Sequence, residues 1–192
     1  MPDPTLSDAL EEAYASAPAA RAIIHTLSIY YAGMLNDAGA PAEVYVFSGW
    51  SGDSSDATTG VPLKAFTLES GARFVGGTSV QFIGLPFDVI MPSVAHQGIA
   101  KGQLVLDGID RSVTALLKAA VAAGKPIEIT YRAYLEGLET SGPQNDPPLV
   151  FGLQNVSATV SQVKGEIVVP NLSTKRFPRQ LYLPETFPAL RT

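Results

Sequence analysis

The chain has 192 residues, 13 Lys and Arg against 18 Asp and Glu, and a formal net charge of −5, a balance that argues against a nucleic-acid binder built on phosphate contacts. It has no cysteine, which excludes disulfides, thiolate metal sites and cysteine nucleophiles, and no apolar run approaches the roughly 18 residues of a membrane-spanning helix. Charged residues make up only 16%, against about 25% in an average soluble domain, while Gly (17) and Pro (15) are frequent, so a folded, turn-rich β protein with surface to bury against partners is expected.

The opening Met1-Pro2-Asp3-Pro4, with Glu11 and Glu12 close behind, is unlike an export signal, and synthesis in a cytoplasm is expected. Residues 5–16 read as a short helix. Thr5 or Ser7 can cap it, Leu6, Leu10, Ala13 and Tyr14 share one face, and Pro18 limits it. Alone it would be marginal, so it must dock on the body. Residues 22–31 and 43–47 are β-branched and aromatic and read as strands, the first apolar enough on both faces to be covered on both sides. Residues 48–60 are small and polar without periodicity, a long loop.

Strands are expected again at 63–69, 72–75, 79–83, 86–91 and 103–107, with an interruption at Pro86. The clearest helix is 111–123, capped by Asp110. It carries a stripe of Val113, Leu116, Leu117, Ala120 and Val121, and Gly124 is suited to the left-handed position after its last turn. Residues 127–135 form a strand with Ile127, Ile129, Tyr131 and Ala133 on one face and Glu128, Thr130, Arg132 and Tyr134 on the other. A second long loop at 137–148 leads to a hairpin of 149–160 and 162–169. The last stretch, punctuated by Pro170, Pro178, Pro184 and Pro188, reads as an extended arm.

Little in this inventory suggests bond-making chemistry. The two histidines, His25 and His96, fall in a strand and a loop, where a structural role is the ordinary one. Gly49-Trp50-Ser51-Gly52 does not complete a nucleophile elbow, and Asp53 and Asp56 lack the spacing of a calcium loop. A binding or structural protein is therefore expected ahead of an enzyme. The arm stands out. Lys175, Arg176, Arg179 and Arg191 against Glu185 give residues 175–192 a charge of +3, while the nine cations and seventeen anions elsewhere give −8. Arginine and aromatic side chains are the usual anchors of interfaces, so Arg176, Phe177, Arg179, Tyr182 and Phe187 are the candidate docking residues, with Trp50 and Asp53 as loop contacts.

Three blocks carry a family resemblance: Leu6-Ser-Asp-Ala-Leu-Glu-Glu-Ala-Tyr-Ala-Ser-Ala-Pro18; Gln103-Leu-Val-Leu-Asp-Gly-Ile-Asp-Arg-Ser-Val113 with the helix and the strand Pro126-Ile-Glu-Ile-Thr-Tyr-Arg-Ala-Tyr-Leu135; and Arg176-Phe-Pro-Arg-Gln-Leu-Tyr-Leu-Pro-Glu-Thr-Phe-Pro-Ala-Leu190. Together they resemble an uncharacterised tail-tip family of long-tailed (siphovirus-type) bacteriophages and prophages. The order of elements is also similar to the N-terminal hub domain of the lambda minor tail protein L and to hub proteins of gene transfer agents. The resemblance implies a mainly β (α+β) fold, a β-barrel or split barrel of hub type with one amphipathic helix and a short N-terminal helix. Residues 1–174 would form this body and residues 175–192 its docking arm.

The same resemblance implies a structural virion protein of the tail tip, made in the bacterial host cytoplasm. It would form a ring between the tail tube or distal tail protein and the central tip. A homotrimer is favoured and a hexamer is the alternative; the tape measure is a further neighbour. No cofactor is carried over, because the lambda-like proteins hold their iron–sulfur cluster in a cysteine-bearing region and this chain has no cysteine. A second class of reading is a ligand- or carbohydrate-binding β domain that stacks its ligand on Trp50, Tyr30 and Tyr31, and a third is a cell-wall or peptide hydrolase.

Overall fold

The computed structural model describes residues 22–35, 39–49, 52–57, 59–92, 101–107, 124–159 and 162–169, with Leu10, Glu12, Lys118, Ala120 and Ala122. Ten strands form one mixed sheet: β1 (Ile23–Tyr31), β2 (Val44–Phe47), β3 (Ser54–Ser55), β4 (Pro62–Thr67), β5 (Ser79–Gly84), β6 (Phe87–Ile90), β7 (Lys101–Asp107), β8 (Ile127–Leu135), β9 (Leu149–Ala158) and β10 (Gln162–Val168). Their spatial order is β3-β4-β5-β2-β1-β8-β9-β10-β7-β6. All pairs are antiparallel except β2 and β5, whose parallel contact is Val46↔Ile83 and Phe47↔Gly84. The expected mainly β class is what the chain adopts.

The sheet is not closed, because among the described residues no ladder joins β3 to β6. It is nonetheless rolled. Strands β5 and β6 are consecutive, one pairing with β2 and the other with β7. At the joint, Leu85 N–H donates to the Phe47 carbonyl at 3.0 Å and Asp107 N–H donates to the Pro86 carbonyl at 2.9 Å. Two adjacent residues thus tie the middle of the strand order to its far edge, a bend placed where Pro86 has no N–H for a ladder.

The roll encloses the main core. Leu27 and Ile29 of β1, Val46 of β2, Leu104 and Leu106 of β7, Ile127 to Leu135 at alternate positions of β8, Phe151 and Leu153 of β9, and Val163 and Ile167 of β10 are all in it. Val46 of β2, in the middle of the order, and Leu104 and Leu106 of β7, next to its far edge, share one cluster because the sheet curls. Leu10 and Ala120 are helical, buried, and part of the same cluster, whereas Glu12, Lys118 and Ala122 are exposed. Leu10 and Ala120 thus pack against the rolled sheet, while the rest of the helices expected at 5–16 and 111–123 lies outside the described residues apart from Glu12, Lys118 and Ala122, and Gly124 takes the left-handed conformation (φ 61°) expected of it.

β1 is covered on both faces, as its composition implies: Thr26 and Ser28 are as buried as Leu27 and Ile29. The second face belongs to an aromatic core of Tyr45, Phe47, Phe66, Phe82 and Tyr134 with Leu68. Phe66 sits at its centre, 4.8 Å from Tyr134, 4.9 Å from Phe82 and 5.7 Å from Phe47 between ring centroids. Such tilted and edge-on pairs add to the area they bury.

Candidate docking site

Residues 68–78 decide the shape of the outer face. The expected strand at 72–75 is a run of turns instead, and the reason lies in the flanking glycines. A Cβ at Gly76 would stand 2.3 Å from the Ser70 carbonyl oxygen, and Gly77 has φ 70°. Gly77 and Ala72 N–H both donate to the Glu69 carbonyl, at 3.0 and 3.1 Å. The resulting loop is clasped across β1 and β8 by charge. Arg132 on β8 donates from Nε to Glu69 Oε2 and from Nη2 to Glu69 Oε1, both at 2.7 Å, and from Nη1 to the Ser28 hydroxyl. Burial alone would push the Glu69 carboxyl up, but the hydrogen bonds and charge of Arg132 hold it below the usual carboxylate range. Glu43 lies in the same neighbourhood, and burial raises its pKa despite the nearby Arg132 and Arg73.

Further along the loop, Arg73 pairs with Glu128 and lies over the Tyr30 ring, 4.2 Å from its centroid. Phe74 packs on Tyr30 at 5.6 Å. A groove of about 290 Å³ is lined by Tyr30, Pro126, Glu128, Val150, Phe151 and Gly152, among others. Phe74 and Val75 are each 38% exposed, Leu149 45%, Val150 43% and Val169 43%. The exposure of Leu149 and Val150 has a register cause. β10 pairs with β9 only as far as Val168↔Gly152, while β9 runs on beside β8 through Leu149↔Tyr131.

Both long loops lie against β4. The 137–148 loop contains a short 3-10 helix, Glu139–Ser141, and Glu139 pairs with Lys64 of β4 at 2.8 Å. That hydrogen bond, together with the charges of Glu139, Asp53 and Glu136, raises the Lys64 pKa although burial opposes it. The same loop is pinned to β8: Ala133 N–H donates to Asn145 Oδ1 at 2.8 Å, Asn145 Nδ2 donates to the Tyr131 carbonyl, and Gln144 N–H donates to the Ala133 carbonyl. Most of the loop expected there is thus clamped on the body. The 48–60 loop gains a two-residue strand, β3, paired with β4 through Ser54↔Leu63.

Of the expected site residues, Asp53 is exposed just before β3, close enough to Lys64 for their charges to interact. Trp50, Arg176, Phe177, Arg179, Tyr182 and Phe187 lie outside the described residues, as does His96. Tyr30, a candidate stacking group, is already occupied by Arg73 and Phe74. His25 Nδ1 is 2.7 Å from the Tyr131 hydroxyl beside a cavity of about 230 Å³ under β6, and burial lowers its pKa. A larger, polar groove of about 520 Å³ crosses β7, β9 and β10, where Lys101 and Asn155 both donate to Glu166 Oε2. Their hydrogen bonds hold the Glu166 carboxyl below its usual range. Among the described residues, no helix is long and apolar enough to cross a membrane.

A family model described as a domain of unknown function, DUF1833, matches residues 53–182, more than half of the chain. The chain belongs to this family. No curated protein and no solved structure matches. The DUF1833 region takes in β3 to β10 and the 68–78 loop, but β1 and β2 precede it. Those two strands stand between β5 and β8 in the sheet. The folded unit of this DUF1833 protein therefore extends upstream of the matched segment, since without residues 23–47 the matched strands fall into two groups that no described ladder joins.

Sequence reading missed the exposed apolar side chains of the 68–78 loop and of the start of β9. Phe74 and Val75 were hidden in an expected strand, and Leu149 and Val150 in an expected hairpin. The signal that was present is Gly71 and Gly76-Gly77 bracketing Arg73-Phe74-Val75, a turn-bounded stretch that leaves apolar side chains at its tip.

Proposed function

We propose that the chain is a structural subunit of a bacteriophage tail tip, working by assembly with copies of itself and with other tail proteins. Copies form a ring, a trimer by preference and a hexamer as the alternative, that links the tail tube or distal tail protein to the central tip. The tape measure is a further neighbour. The rolled sheet with its two cores is the stiff body of each subunit. The basic arm, through Arg176, Phe177, Arg179, Tyr182 and Phe187, joins neighbours, and Asp53 beside Lys64 offers a polar contact. The acidic body keeps DNA from adhering as it passes. Reaction chemistry and cofactors have no part in this reading.

The observation that carries it is the apolar groove lined by Tyr30, Pro126, Val150 and Gly152 on the outer face, with the exposed Phe74 packed on Tyr30 beside it. Contiguous apolar surface of this kind is characteristic of a contact with another macromolecule. The three sequence blocks that resemble tail-tip proteins supply the type of assembly, and the DUF1833 match is compatible with it. The test is immunogold labelling of purified particles produced by a strain that encodes the chain. Label at the distal end of the tail is expected. Particles that lack the protein would reject the proposal.

A further inference from the structure

We infer that the groove between β1, β8 and β9 is the seat of the C-terminal arm, residues 175–192, of a second copy of this chain. The inference deepens the ring proposal and rests on it, by naming the surface that receives the arm.

Four observations converge. The groove is walled by Tyr30, Val150 and Gly152, and at about 290 Å³ it has room for an aromatic ring. The arm carries three such rings, Phe177, Tyr182 and Phe187. Next to the groove, Leu149, Val150 and Phe151 of β9 pair with β8 on one side, and β10 has already ended at Val168 on the other. Among the described residues no strand pairs with that other side, and such a sheet edge is a place where an extended segment adds well. The chain's own continuation is badly suited to that edge. In the register Val168↔Gly152, residue 170 would stand opposite Val150, and Pro170 has no N–H to donate to a ladder. Pro170 therefore disfavours the chain's own continuation at that edge and favours a segment from elsewhere. Charge completes the case: a +3 arm approaching a body of −8 is attracted to other copies, and arm and groove are different surfaces. A contact between unlike surfaces passes from copy to copy and closes into a ring when its rotation allows.

The absence of cysteine permits a clean test on the full chain. One preparation carries only Val150→Cys, another only Phe177→Cys, and the two are mixed before treatment with a short bismaleimide. A covalent dimer in the mixture, severalfold above either preparation alone, is expected, because each cross-link then joins two different copies. A variant with both substitutions reports on the alternative. If it closes on itself as a monomer while the mixture gives no dimer, the groove holds its own arm and the inference is overturned. If neither cross-links, the arm does not reach this groove and the inference is likewise overturned. The mass of the unmodified chain in solution separates these failures from failure of the ring: an oligomer without the cross-link removes only the groove, whereas a monomer removes the ring as well. Val150→Glu gives a second reading. Dispersal of the oligomer with an unchanged melting temperature is expected, and an oligomer that survives the buried charge would contradict the assignment.

Discussion

Glu69→Ala tests the clasp that holds the 68–78 loop on the sheet. In the folded protein the Glu69 and Arg132 side chains are 10% and 3% exposed and share two hydrogen bonds of 2.7 Å. The alanine variant leaves the guanidinium buried with only the Ser28 hydroxyl among those partners. Removing one member of a buried pair costs about 3–5 kcal/mol, and the lower figure suits a carboxylate at the edge of the loop. For a chain of this length, about 3 kcal/mol corresponds to a melting temperature about 6–12 °C lower. Urea titration and differential scanning calorimetry would measure it.

The double variant Glu69→Leu with Arg132→Met replaces the pair by apolar side chains and should recover most of the loss, because neither charge then needs a partner. The pH dependence has a definite sign. The folded-state pKa of Glu69 is depressed, so its contribution is complete above the unfolded carboxylate value and disappears as pH falls through the folded one. The gap between wild type and Glu69→Ala should therefore narrow in acid. A single variant that loses less than about 1 kcal/mol would mean that solvent screens the pair as it does a surface ion pair, and would refute the clasp.

Phe66→Ala empties the centre of the aromatic core and should cost about 3–5 kcal/mol in urea unfolding; a loss well under 2 kcal/mol on the same scale would show that the second core is not tightly packed. Gly76→Ala forces a Cβ against the Ser70 carbonyl and should cost about 1–3 kcal/mol, with faster amide exchange confined to residues 68–78. The half-buried His25 has a pKa lowered by desolvation, so as pH falls below 6.5 the unfolded chain takes up this proton before the folded one does. Stability is therefore full above that pH and declines as pH falls toward the folded value, and His25→Asn should flatten this part of the melting-temperature profile.

Much of the fold was legible because two-residue periodicity survives wherever a strand is buried. The strand read at 127–135 is β8 with the bounds and the two faces expected, since Ile127, Ile129 and Tyr131 face the main core and Arg132 and Tyr134 the other. The break at Pro86 is visible because proline cannot join a ladder. Rolling was not legible, because it depends on where Leu85 and Pro86 attach to Phe47 and Asp107, contacts between residues far apart in sequence. The turn at 72–75 was missed because Ala-Arg-Phe-Val has the composition of a strand, and only the Gly76 contact with Ser70 decides against one. Arg132 was placed on the correct face, yet nothing local to it announces Glu69 as its partner, 63 positions away.

The central claim is that the chain acts by associating with copies of itself, and native mass spectrometry of the 192-residue chain across a concentration series tests it most directly. A closed species at three times, or six times, the 20.2 kDa subunit mass is expected, reverting to subunits when the chain is truncated after Ser173. A single 20.2 kDa species at every concentration, with and without the other tail proteins, would contradict it.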